Sequence, residues 1–243
     1  MFIAAHPCAI WHVCNQGSTS RIQAAAARSQ PEKQLHLPAI AVNRDERGTA
    51  QGVAVRWMKL PRLFKESPTE AAASRLYERA IEQARQPAFY LNSGVPDTPD
   101  GRFDMIALHV GLLLRRLRQD HQLTADFAQA LFDLMFSDMD QNLREMGIGD
   151  IGVGKRIKAM AQAFYGRLAV YEAGLKNADD RELAAALVRN LYRNATPQED
   201  QLAGVVAYMR REAAALDSCR LEQVMTAEFR FGPPPADSSE GVA

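Results

Sequence analysis

The sequence predicts an all-α fold, a single compact multi-helix domain of about six helices with disordered N- and C-terminal extensions. From residue 67 onward, apolar residues recur every three or four positions, which is the spacing of a helix face. No segment alternates apolar and polar residues in the two-residue period of a half-buried strand. Helix start signals are also present, at Ser67-Pro68-Thr69-Glu70 and at Thr196-Pro197-Gln198-Glu199.

The composition divides the chain into three regions. Residues 1–57 hold turn formers and both tryptophans without sustained periodicity, which predicts disorder or, alternatively, an over-extended reading frame whose true start is Met58. Residues 58–231 carry the helical domain. Residues 232–243 begin with a glycine and three consecutive prolines, a composition typical of a disordered tail.

The first two helices are separated by a loop at residues 92–101, which contain two prolines and two glycines. The capping box at Ser67 starts the first helix, and Pro87 ends it after about Gln86. The second helix runs from about Arg102 to Asp120. Their predicted inward faces are Leu76, Ala80 and Ala84 in the first, and Phe103, Ile106, Val110, Leu113 and Leu117 in the second.

Thr124 is the predicted N-cap of a third helix, which Gly147 ends in a left-handed conformation. Gly149 to Gly154 would let the chain reverse tightly into a fourth helix, from about Asp150 to Lys176. The predicted buried residues are Phe127, Leu131, Met135, Met139, Leu143 and Met146 in the third helix, and Val153, Ile157, Met160, Phe164, Leu168 and Tyr171 in the fourth.

A fifth helix is predicted near residues 180–193, and a sixth begins at the second capping box, with Thr196 as its cap. Their predicted inward residues are Leu183, Leu187 and Leu191 in the fifth, and Leu202, Val205, Val206 and Met209 in the sixth.

Charge and cysteine content exclude several classes of protein. Lys+Arg and Asp+Glu both total 29, so no dominant basic field marks a DNA-binding protein. The 3 cysteines form no CxxC pair, which argues against a disulfide framework or a zinc site. No apolar run approaches the roughly 18 residues of a spanning helix.

The stretch from residue 138 to 167 contains two glycine patterns that occur in nucleotide sites. Residues 147–152 satisfy GxGxxG, and Gly149 to Lys155 satisfy the first part of GxxxxGK. Both patterns require a strand before the loop, and the second requires Ser or Thr where this chain has Arg156. Because the preceding segment is strongly helical, we interpret these glycines as the corner between two antiparallel helices.

Metal and cofactor ligands are not expected. Asp138 and Asp140 resemble a DxD motif, but two such residues on a helix point in different directions and cannot hold one ion together. His109 and His121 are lone histidines, which are more often structural than haem ligands. No Ser, Cys or His constellation suggests a nucleophile, so we expect no catalytic residue, no metal and no cofactor.

Charge is segregated across the corner, with acids before the glycines and bases after them. Part of this charge would pair internally, and the rest would select and orient a partner. Methionines at 135, 139, 146 and 160 fit either a core or an adaptable binding face. The candidate partner-binding residues are Asp138, Asp140, Arg144, Glu145, Asp150, Lys155, Arg156, Lys158, Tyr165 and Arg167.

The pattern DMDxxLREMGxGDxxVGKRxKxMxxAFYGR, at residues 138–167, resembles the signature of the ubiquinol–cytochrome c chaperone family, the assembly factors for cytochrome b of the bc1 complex. The likeness is dense over these residues and looser from Ala71 to Met209. It implies an all-helical, non-enzymatic chaperone. The chain resembles a bacterial member, because it lacks a clear targeting or membrane-anchoring extension.

The resemblance implies newly made, membrane-inserted cytochrome b as the partner. For mitochondrial members it also implies a small partner protein and the ribosomal tunnel exit. The expected location is the cytoplasm, with peripheral association at the inner face of the inner membrane, or at its matrix side in a mitochondrion. The oligomeric state stays open. The alternatives are a helical-bundle enzyme or small-ligand binding protein, acting on a quinone or nucleotide, and a helical adaptor with another membrane client.

Overall fold

The computed structural model describes residues 67–236, and this part of the chain is helical, without strands. The predicted all-α fold is therefore confirmed. Six long helices stand where six were predicted, and two short ones, α2 and α8, are additional because five residues are too few to show a period. The helices are α1 Pro68–Ala84, α2 Pro87–Leu91, α3 Pro99–Gln119, α4 His121–Glu145, α5 Asp150–Lys176, α6 Asp180–Leu187, α7 Glu199–Ser218 and α8 Leu221–Met225, with a π-helical turn at Val188–Tyr192.

Helix α1 begins and ends as predicted. The Ser67 hydroxyl accepts a hydrogen bond from the Glu70 amide at 3.1 Å, and the Glu70 carboxylate accepts one from the Ser67 amide at 3.1 Å. These two bonds satisfy amide groups that have no partner inside the helix. The helix ends at Ala84, before Pro87, and buries the three predicted residues of its stripe.

Helix α3 is the central element, packed against α1, α4, α5, α7 and the π turn. All five residues predicted to face inward are buried. The predicted start at Arg102 is wrong, since the helix begins at Pro99. The Thr98 hydroxyl accepts a hydrogen bond from the Gly101 amide at 3.1 Å, so Thr98 caps a first turn that the proline-rich composition had assigned to a loop.

Thr124 is not the cap of α4, which begins three residues earlier at His121. The Thr124 hydroxyl is buried and donates to the carbonyl oxygens of Leu117 at 2.6 Å and Asp120 at 3.1 Å. It therefore ties α4 back to the end of α3. Thr196 is also not a cap, because α7 begins at Glu199 with Gln198 as the residue before it.

The predicted inward faces of α4 to α7 are mostly confirmed. Leu143 is only partly buried, and the prediction that Met146 is buried is wrong, because 59% of its surface is exposed. Ile157, Met160, Leu168 and Leu202 are partly buried but pack against the core. The remaining predicted residues of these helices are buried.

A buried polar chain links α1, α3 and α7. The Tyr208 hydroxyl donates to His109 Nε2 at 2.7 Å and accepts from Gln83 Nε2 at 3.0 Å, while His109 Nδ1 donates to the Met105 carbonyl at 2.8 Å. Gln83 also donates to the Gly232 carbonyl at 2.8 Å. The start of the predicted C-terminal tail is therefore bonded to the helical domain, whereas residues 237–243 and the whole predicted extension 1–57 lie outside the described residues.

None of the helices between residues 67 and 236 is both long enough and apolar enough to cross a membrane.

Candidate functional site

The corner between α4 and α5 projects from the helical domain. Met139 is the last buried residue of α4, and from residue 140 to 163 only Val153 is buried. Val153 is not part of the main hydrophobic core. Two antiparallel helices therefore present their joined end to solvent, and we call residues 138–158 the charged corner.

The turn at this corner is a Schellman motif. Gly147, at φ 81°, donates its amide to the Arg144 carbonyl at 2.9 Å, and the Ile148 amide donates to the Leu143 carbonyl at 3.2 Å. The left-handed Gly147 is confirmed. The prediction that the glycines from 149 to 154 form the reversal is correct for Gly149, which lies in the turn directly before α5, and wrong for Gly152 and Gly154, which lie within the first turns of that helix.

The nucleotide-loop patterns have no structural support at this position. A helix, α4, precedes the glycines instead of a strand, so the chain lacks the strand-to-helix turn on which phosphate sites are built. Within residues 67–236, no group of three or more His, Cys, Asp or Glu side chains is arranged to hold a metal ion.

The acidic half of the corner is partly neutralised by Arg144. Its guanidinium pairs with Asp140 at 2.6 Å and also with Asp150, and these bonds raise the pKa of Arg144. Asp138 is turned toward α1, where it accepts a hydrogen bond from the Tyr77 hydroxyl at 2.8 Å. Glu145 is exposed and accepts from Gln141 at 2.9 Å.

The basic half of the corner is exposed on the first turns of α5, where Lys155, Arg156 and Lys158 all lie at the surface. Among residues 67–236, neither Lys155 nor Lys158 has a carboxylate within ion-pair distance. These two lysines are therefore cations without a direct partner, close to two acids, Asp140 and Asp150, that share the single guanidinium of Arg144.

Two large apolar side chains flank the turn, and sequence reasoning assigned neither to the surface. Met146 is 59% exposed, and Ile151 is 82% exposed. The signal for Ile151 was present, since it is out of phase with the inward residues Val153, Ile157 and Met160 on the same helix. The corner thus combines exposed apolar groups with charge.

Tyr165 and Arg167 lie apart from this corner. Arg167 is about 26 Å from the start of α5 along the helix axis, and its guanidinium pairs with the buried Asp104 of α3 at 2.5 Å. Arg193 reaches the other oxygen of Asp104 at 2.7 Å. The Tyr165 ring stacks on Phe132 of α4, with the ring centroids 5.3 Å apart, and burial raises its pKa. In this structure both side chains join helices to one another.

Most of the methionines belong to the core. Met135 and Met139 are 0% and 7% exposed, and Met160 packs against the core from a partly buried position. Of the four methionines considered for an adaptable face, Met146 is the one that is exposed. His109 is fully buried with both ring nitrogens hydrogen-bonded, so neither is available to a haem iron.

A cavity of about 290 Å³ lies between the α2–α3 loop, α7 and residues 235–236. Tyr208 and Arg211 line it, but their polar groups are engaged by His109 and Glu212. The Ser93 side chain also belongs to its lining, and within the described part of the chain its oxygen has no hydrogen-bond partner. A serine nucleophile needs a base within hydrogen-bond reach, which this arrangement does not supply.

Comparison with known proteins places this domain among assembly factors. The model of the Ubiquinol-cytochrome C chaperone family matches residues 91–231, a range that includes the whole charged corner. The chain is also similar to the Cbp3 homolog from Brucella abortus, whose crystal structure it matches with a TM-score of 0.62 and 37% identity, over 68% of this chain and 91% of that one.

Two animal proteins are similar in sequence, and both are named ubiquinol-cytochrome c reductase complex assembly factor 1. The mouse protein is 29% identical over 174 residues, which is 71% of this chain and 59% of the mouse chain. The Xenopus laevis protein is 28% identical over 165 residues, which is 68% of this chain and 82% of that one. The chain thus spans less than two thirds of the mouse relative.

Proposed function

Because the chain belongs to the ubiquinol–cytochrome c chaperone family, we propose that it is a non-enzymatic assembly chaperone that binds cytochrome b. In this proposal it assists assembly of the ubiquinol–cytochrome c reductase (bc1) complex from the inner face of the inner membrane, or from the matrix side in a mitochondrion. The observation that carries the proposal is the charged corner, which projects from the core and lies inside the region that the family model matches.

The chemistry of the corner suits a membrane-protein client. Such a client offers apolar helices and charged loops, and the corner offers Met146 and Ile151 beside charges of both signs. Exposed apolar groups supply contact area, while complementary charge steers and orients the partner. The proposed surface comprises Asp138, Asp140, Arg144, Glu145, Asp150, Lys155, Arg156 and Lys158, with Tyr165 and Arg167 supporting the helices behind it.

The client contact can be tested with a double substitution, Glu145→Lys with Met146→Ser. It reverses an exposed charge and removes an exposed apolar group while leaving the core intact. A tagged chaperone should then recover at least fivefold less cytochrome b from detergent-solubilised membranes, a change equivalent to about 1 kcal/mol of binding energy. Mature bc1 complex, measured by haem absorption, should fall in parallel.

The matched control is Glu182→Lys with Leu123→Ser, which reverses one acidic charge and removes one large apolar side chain at exposed positions on α6 and α4 away from the corner. Thermal unfolding should show that both variants remain folded. Unchanged bc1 levels in a strain that lacks the gene would contradict the proposed function. The same pull-down identifies any small partner protein or ribosome that accompanies the client.

A further inference from the structure

Three exposed residues form one stripe on the first turns of α5. Ile151, Lys155 and Lys158 are spaced by four and three positions, so they lie on the same face of the helix. Ile151 is 82% exposed, and both lysines are exposed. We call these three residues the tip stripe.

The tip stripe carries two positive charges that no carboxylate pairs directly. Asp140 and Asp150 share the one guanidinium of Arg144, and Glu145 is exposed. Within residues 67–236 neither lysine has an ion pair of its own. This face of α5 therefore presents two cations beside Ile151, although the charged corner as a whole holds as many acids as bases.

The position of the stripe allows it to reach a flat surface. The six residues of α4 beyond Met139, 140–145, extend about 9 Å past the last buried residue of that helix. Ile151 and Lys155 precede Ile157, where α5 joins the core, and Lys158 follows it directly. A planar surface could therefore reach the first part of the stripe before it meets the part of α5 that packs on the core.

We propose that the tip stripe docks on an anionic membrane surface, with Ile151 entering the interfacial layer and Lys155 and Lys158 contacting lipid phosphates. A hot spot for a protein partner is usually a side chain in a packed, desolvated pocket. At the tip the exposed Ile151 side chain instead points outward beside two cations, which is how peripheral helices engage a bilayer interface. This inference goes beyond the proposed function, because it requires no client protein.

The direct test is flotation of the purified full-length chain with vesicles, in the absence of cytochrome b. The chain should bind vesicles made of two parts phosphatidylcholine to one part phosphatidylglycerol, and should not bind phosphatidylcholine alone. Replacing both lysines by glutamine should weaken binding about fivefold per lysine, equivalent to about 1 kcal/mol each. Ile151→Ser should weaken binding further, and added salt should weaken the wild type more than the glutamine variant.

A matched control removes two positive charges and one large aliphatic side chain elsewhere, by Arg85→Gln, Arg189→Gln and Leu123→Ser. All three residues are exposed, so this variant should float like the wild type. The proposal would be overturned if the control lost as much vesicle binding, relative to the wild type, as the tip variants do. It would also be overturned if the wild type did not bind anionic vesicles. If vesicles do not bind but the tip variants lose cytochrome b from detergent extracts, the stripe belongs to the protein client, and the proposed function stands without the lipid contact.

Discussion

Lowering the pH from 7.5 to 5.0 should reduce the free energy of unfolding by about 2 kcal/mol through one residue, His109. This histidine is fully buried, and burial lowers its pKa from 6.5 to about 4, although the hydrogen bond to the Met105 carbonyl acts in the opposite direction. Its Nε2 accepts the Tyr208 hydroxyl hydrogen, so protonation would also require that hydrogen bond to reverse its direction. The folded protein must therefore keep this ring neutral.

The sign follows from proton counting. Between pH 4 and 6.5 the unfolded chain binds a proton at this histidine and the folded chain does not, so stability rises with pH across this window. The stabilisation is complete above the unfolded pKa and is lost as the pH falls toward the folded value. For a domain of this size, about 2 kcal/mol corresponds to a melting temperature lower by roughly 4–8 °C.

The assay is urea unfolding followed by far-UV circular dichroism at several pH values, for the wild type and for His109→Gln. Glutamine can donate to the Met105 carbonyl and accept from Tyr208, but it does not titrate in this range. The remaining titratable groups gain and lose protons equally in both proteins. The difference between the two pH profiles of unfolding free energy therefore isolates the contribution of the histidine. Parallel profiles, agreeing to about 0.5 kcal/mol over the window, would refute this reasoning.

Three further substitutions test the packing. Gly174→Ala should destabilise the protein by about 1–3 kcal/mol, because its new Cβ would lie 2.8 Å from the Leu183 Cα of α6, and a melting temperature equal to wild type would contradict this. Gly166 lies on the same helix, and a Cβ added there would have no neighbour within 4 Å. Gly166→Ala should therefore raise the free energy of unfolding, measured in urea, by up to about 1 kcal/mol, and a lower value than that of the wild type would contradict this. Tyr77→Phe should lower the free energy of unfolding in urea by about 1 kcal/mol, because it removes the hydroxyl bond to Asp138, and a value equal to that of the wild type would contradict this.

Local chemistry explains which parts of the fold were predictable. The start of α1 follows from hydrogen bonds between residues three apart. The end of α4 follows from its closing turn, which requires a positive φ angle that Gly147 adopts without strain. The buried faces of the six predicted helices follow from apolar residues that recur every three or four positions, a pattern that lies within each helix and does not depend on distant residues. Helices α2 and α8 were not predicted, because five residues are shorter than any usable period.

The wrong cap assignment at Thr124 has a physical cause. A threonine near a helix start can bond to the amide two or three residues ahead or to a carbonyl behind it, and the surrounding packing selects between them. Thr98 does the first and caps α3, whereas Thr124 does the second and is buried against the end of α3. The sequence shows the same residue type in both places.

The candidate site divides in the same way. The sequence alone determined the all-helical fold and the position of a charged, glycine-containing corner, because periodicity, caps and glycine conformations act between neighbours. Only the tertiary structure decided that Arg167 turns inward to the buried Asp104, and that Met146, in phase with the inward residues of α4, faces solvent. Burial depends on which helices cover a face, and here the main core leaves the α4–α5 end uncovered.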